Sequence, residues 1–240
     1  MLEILKNSVN DGDANIPLRI GIVCALIIFI YSHFIAFDNT NLRNVDMEPF
    51  SEPIQTDIEN GEPFEHKVKD GVAKITPLAK YKIYGRVYAH HYRPYKLYGA
   101  SMYPYDVSIG FGDFRYKDVY KAVDVKMAGT ISYYTISGAN ARRLQQKYLN
   151  QTDFFRCFTN NHLCPANKKV KRGIQRLRNK DIVYIEGYLI KYELLRKNGR
   201  FESGTSSTSR DDKNLTGNNG SGSCEQIYVT RIVTRHGDYK

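Results

Sequence analysis

Asp106, His162, Cys224 and Asp211 are the residues of this 240-residue chain whose types can do chemistry together. A cysteine becomes a strong nucleophile when an imidazole takes its proton. A carboxylate then holds that imidazole in the working tautomer. Cys224 and His162 supply the first two groups, and Asp106 or Asp211 the third. Such a set belongs to a hydrolase or transferase that passes through a covalent intermediate. The four residues fall in polar stretches that read as loops. These are MYPYDVSIGFGDF, TNNHLCPANKK, and ESGTSSTSRDD with the following GNNGSGSCE. Chain spacing alone does not bring them together. Asn161 and His162 equally suit a tight turn before Pro165, satisfying backbone groups, so the enzyme reading stands second to a binding one.

Other chemistry is thinly represented. His90 and His91 are adjacent and would point to opposite faces of a strand, and neither a C-x-x-C pair nor H-E-x-x-H occurs. Gly110 and Gly112 lack the third glycine of a dinucleotide fingerprint, so neither metal nor cofactor is expected. Cys157 and Cys164 are separated by six residues that could fold back into a local disulfide in an oxidising compartment. The strongest binding signal is KKVKRGIQRLRNK, Lys168 to Lys180, with seven Lys/Arg and no acid. As a helix it would show Lys168, Lys169, Lys171, Arg172, Arg176 and Arg178 to a polyanion. Twelve tyrosines between residues 81 and 134, several beside Arg or Lys, could stack on bases or sugars.

The elements that must position these groups follow an apolar run, IGIVCALIIFIYSHFIAF, from Ile20 to Phe37. With Ile16 to Leu18 it is long enough for one membrane crossing. The expected organisation is a cytoplasmic N-terminus over 1–15, a transmembrane helix over 16–37, an acidic Pro-containing linker over 38–79, and a basic domain over 80–240. Charge supports that division. Residues 38–79 hold four Lys/Arg against nine Asp/Glu, whereas 80–200 hold twenty-four against eight. Alternation predicts strands over 81–92, 106–111, 123–136, 182–195 and 225–234, with a helix over 140–149. An Asn-Gly turn at 198–199 pairs the fourth with 201–206. The expected fold class is therefore an N-terminal transmembrane helix plus a small mainly-β domain, an OB-like partly open barrel, or an α+β domain.

YPYDVSIGFG, NNHLCPA, SSTSRDD and GSGSCE, in that order after one apolar segment, resemble a group of bacterial single-pass membrane-anchored proteins. In their pattern a Ser precedes the Pro and a Trp lies between the glycines. Here Tyr103 and Phe111 stand at those places, and Cys164 replaces an aliphatic residue. The resemblance implies a bacterial origin and a common fold, and it brings no activity with it. With the weak excess of Lys6 and Arg19 before the run over Arg43 after it, the expectation is a protein of the bacterial inner membrane with a periplasmic domain. That domain would be a non-catalytic binding or scaffold module. It would dock an envelope protein or a polyanion (nucleic acid, anionic lipid or glycan) through its basic, Tyr-rich face. The alternatives are the Cys/His enzyme and an OB-like nucleic-acid-handling protein.

Overall fold

The computed structural model describes residues 23–24, 40–93, 99–128, 131–136, 139–144, 146–147, 157–206, 208 and 224–240. It divides into two units, Met1–Asn39 and Thr40–Lys240. In the first, Val23 and Cys24 alone are described, so the expected transmembrane helix over 16–37 lies outside the described residues. Among those residues no helix is long and apolar enough to cross a membrane.

The second unit is mainly β. After a short helix α1 (Thr40–Arg43) come β1 (Ile54–Asp57), β2 (Phe64–Val68), β3 (Gly71–Tyr92) and β4 (Tyr105–Gly110). A 3-10 turn (Gly112–Arg115) and α2 (Lys117–Ala122) lead to a hairpin of β5 (Val123–Ala128) and β6 (Ile131–Ile136). Then follow α3 (Ala139–Leu144), β7 (Phe158–Pro165), α4 (Lys168–Gln175), β8 (Ile182–Arg196), β9 (Phe201–Thr205), β10 (Cys224–Thr234) and β11 (Gly237–Tyr239). The main sheet is partly ring-like. From β3 the pairings run through β4, β7, β10 and β8, and β8 pairs again with β3 over most of its length. All these pairs are antiparallel except β7 with β10.

Residues 54–79 depart from the expected linker. Ile54–Asp57 pairs with Ala79–Lys82, and Phe64–Val68 pairs with Gly71–Ile75. Proline does not break β3, because Pro77 sits where the β3–β8 register shifts and the ladder needs no donor from it. Acidic side chains fit there because β1 and β2 are edge strands with exposed faces.

The strand expected over 106–111 is β4, and the stretch around His162, expected as a loop, is the strand β7. β4 and β7 are buried along nearly their whole length, with polar residues among the buried ones. Tyr105, Val107, Ile109 and Leu163 enter a core completed by Ile227 and Val229 of β10 and by Val170 and Ile174 of α4. The period of two therefore sends Asp106, Ser108, Asn160 and His162 to the opposite face. That face is covered too, and this is what positions the site.

Candidate active site

Three neighbouring strands each contribute one group. Asp106 of β4 lies directly opposite His162 of β7, and Cys224 opens β10 opposite Asn160 of β7. Asp106 is fully buried, His162 is nearly so, and the Cys224 residue is partly exposed. The His162 Nδ1 is 2.6 Å from Asp106 Oδ1. The imidazole also hydrogen-bonds Cys224, for which Nε2 remains. The carboxylate, imidazole and thiol thus form a continuous line across the sheet. Burial works to lower the His162 pKa, but the hydrogen bond to Asp106 and the contact with Cys224 outweigh it and raise the value to about 9. The imidazole is thereby held as imidazolium beside sulfur at neutral pH.

Each member is held by a further shell. Arg93, nearly fully buried at the end of β3, puts Nε 3.5 Å from the second Asp106 oxygen, Oδ2. A buried carboxylate needs such a partner. Tyr103 leans its ring on His162, centroids 6.0 Å apart, and donates its hydroxyl to Gln226 Oε1 at 2.9 Å. The turn that delivers Tyr103 pivots on Gly99, where φ is +70° and the carbonyl accepts from the N–H groups of Met102 and Tyr103. Asn160 Nδ2 donates to Cys224 Sγ at 3.6 Å, and its Oδ1 accepts from Ser132 Oγ at 3.0 Å. Ser132 also pairs with Ser108, so the β5–β6 hairpin is tied across this face. Beside Cys224, Ser206 donates its hydroxyl to Glu225 Oε2 at 3.0 Å and accepts from the Gln226 N–H. These contacts anchor the start of β10.

Of the four residues expected to do chemistry, Asp106, His162 and Cys224 therefore meet, and Asp211 lies outside the described residues. Asn161 does satisfy backbone, donating to the Val107 carbonyl at 3.0 Å, but it does so from within a strand and toward the other face. Arg93, Ser132, Ser108 and Asn160 were not singled out from sequence as members of a catalytic set. Nothing local marks them, since each acts through a strand distant in the chain.

The expected Cys157–Cys164 disulfide is corrected. Neither thiol is in a disulfide; Cys157 immediately precedes β7 and Cys164 lies near its far end. The rise along the strand between them, seven residue steps, is about 23 Å, far beyond what a disulfide spans. Cys164 is buried, and burial pushes its thiol pKa well above the ordinary value. The basic segment forms α4, with Asn167 Oδ1 accepting from the N–H groups of Lys169 and Val170. Lys168, Lys169, Lys171, Arg172, Arg176 and Arg178 are exposed, though Arg176 donates to the Tyr239 hydroxyl at 2.9 Å. Among the described residues no group of three or more His, Cys, Asp and Glu is arranged to hold a metal ion. In comparisons with known proteins, no family model, no curated protein and no solved structure matches this chain.

Proposed function

We propose that the domain is a cysteine-dependent acyl-transfer enzyme, a hydrolase or transferase. Cys224 is the nucleophile, His162 the base and acid, and Asp106 the group that orients His162. The observation that carries this reading is the line Asp106–His162–Cys224 on adjacent strands, ending at a partly exposed cysteine residue. In the resting site the thiol proton already sits on His162 Nε2, leaving thiolate beside imidazolium. The thiolate adds to the carbonyl carbon of an acyl substrate, and charge builds on the carbonyl oxygen within reach of the Asn160 carboxamide N–H. As the intermediate collapses, the departing amine or alcohol takes the proton from His162. Water or a second nucleophile then gives a proton to His162, attacks the thioester and frees Cys224.

We read the architecture as OB-like. Support comes from the strand circuit β3–β4–β7–β10–β8, the parallel β7–β10 pair, and α4 between β7 and β8. In OB folds ligands cross the outer face of the second and third strands, which here would be β4 and β7. The apolar run over 20–37 supports anchorage in a bacterial inner membrane with this domain in the periplasm. A second reading is favoured by four exposed cations within five residues of α4, Lys168, Lys169, Lys171 and Arg172. It keeps the domain as a module that docks an envelope protein or polyanion there.

The test is alkylation of the full-length protein with iodoacetamide, mapped by peptide mass spectrometry. A thiolate paired with imidazolium reacts below neutral pH, where ordinary thiols do not. Cys224 should be labelled at pH 6 faster than free glutathione, and His162→Ala should abolish the advantage. Labelling no faster than glutathione, or unchanged in His162→Ala, overturns the enzyme reading.

A further inference from the structure

A second concavity lies beside the triad and is unlike it in charge. Its walls are the end of β2, the turn carrying Ala100 and Met102, and the corner where β7 runs into α4. The cavity measures about 290 Å³, and Lys67, Lys69, Lys168 and Lys171 line it together with His66. Among the described residues no Asp or Glu lines it. The first turn of α4 adds the positive end of a helix dipole to the same wall. Its floor contains Met102 and the buried Cys164, so one side is apolar and the rim is cationic.

The ammonium groups of Lys67, Lys168 and Lys171 around one small hollow repel one another, and that cost is offset when an anion sits among them. A carboxylate brings one negative charge, whereas a phosphate monoester or diphosphate brings two or more and offers several acceptor oxygens. Size narrows the class further. A polymer backbone needs an extended groove, while a hollow of this volume suits one headgroup-sized moiety. We propose that this cavity is a binding site for a single phosphate- or diphosphate-bearing group, held by Lys67, Lys69, Lys168 and Lys171. It goes beyond the triad: neither Cys224 nor His162 lines it. The shared turn nevertheless links the two sites, because Met102 lines the cavity and the next residue, Tyr103, packs on His162.

Isothermal titration of the full-length chain with inorganic pyrophosphate and, separately, with glycerol phosphate tests the proposal. Saturable binding that weakens with added salt is expected for at least one probe. It should weaken tenfold or more in the Lys168→Gln/Lys171→Gln double variant, about 1.4 kcal/mol per factor of ten. Both lysines are exposed, so the variant keeps its core. Tighter binding of glycerol phosphate identifies a lipid headgroup as the source, and tighter pyrophosphate a soluble phosphate ester. Either supports the site. Cys224→Ala should bind as the parent does, so loss of the triad reading leaves this one standing. No saturable binding of either probe at millimolar concentration, or affinity unchanged in the double variant, overturns it.

Discussion

Arg196 and Arg93 are both buried arginines at the ends of long strands, and each faces a buried carboxylate. Arg196 pairs with Glu202 at 2.6 Å and Asp70 at 3.0 Å, while Glu202 Oε2 also accepts from the Gly99 N–H at 3.3 Å. That cluster closes on itself, positive against negative, and joins β8, β9 and the turn before β3. Arg93 pairs with Asp106, but Asp106 passes the interaction on to His162, and His162 to Cys224, a residue that is partly exposed. Closure makes a clamp, and an open end makes a site. The two clusters flank one turn: Gly99 touches Glu202, and an added Cβ there would lie 3.7 Å from Arg93 Nη1.

Substitutions at the open end should cost chemistry, and those at the closed end should cost folding. Cys224→Ala should abolish any acyl-enzyme and all rapid labelling, a loss of about 10³-fold or more, with the melting temperature little changed. Asp106→Asn should slow labelling at pH 6 by roughly 10²- to 10⁴-fold through the wrong tautomer, read from alkylation rates. Glu202→Ala reverses the pattern. It strands a buried guanidinium, and denaturant unfolding should show a loss of about 3–5 kcal/mol, while labelling of the folded protein stays near parental. A fall in Cys224 reactivity comparable to that of Asp106→Asn would erase the distinction between the clusters.

The smaller effects are a titration and a hydroxyl. His162 has a folded pKa raised from 6.5 to about 9, so its stabilising contribution is fully present below pH 6.5 and is lost as pH rises through about 9. The stability gap between parent and His162→Gln should narrow over that window, measured by unfolding at each pH. Ser132→Ala removes the hydrogen bond to Asn160 Oδ1 and should slow labelling by several-fold, in line with one hydrogen bond of about 1 kcal/mol.

Much of this was legible in the chain. Alternation in YKIYGRVY, in IVYIEGYLIKYELL and in EQIYVTRIVT follows from one face meeting the core, and those strands stand where expected. Asp106, His162 and Cys224 were nameable because few residue types make a nucleophile and its base. Their meeting was not, since it rests on strand pairs 56 and 64 residues apart in sequence. Polar residues in β7 suggested a loop, yet they are buried in a strand, where Asn160 and Asn161 make hydrogen bonds to Ser132 and to the Val107 carbonyl. Choosing Asp106 over Asp211 required the β4–β7 register. The acids and prolines of 54–79 suggested a linker because edge strands tolerate what central ones do not.

β10 also governs when the site comes into being. It lies between β7 and β8 and carries the proposed nucleophile as its first residue. During synthesis Asp106 and His162 emerge well before Cys224, and their strands can pair while the ring still lacks a member. A chain that stops before residue 224 has the carboxylate and imidazole but no sulfur to activate. The proposed reactivity would thus be the last property this domain acquires, deferred until the final long strand has found both its neighbours.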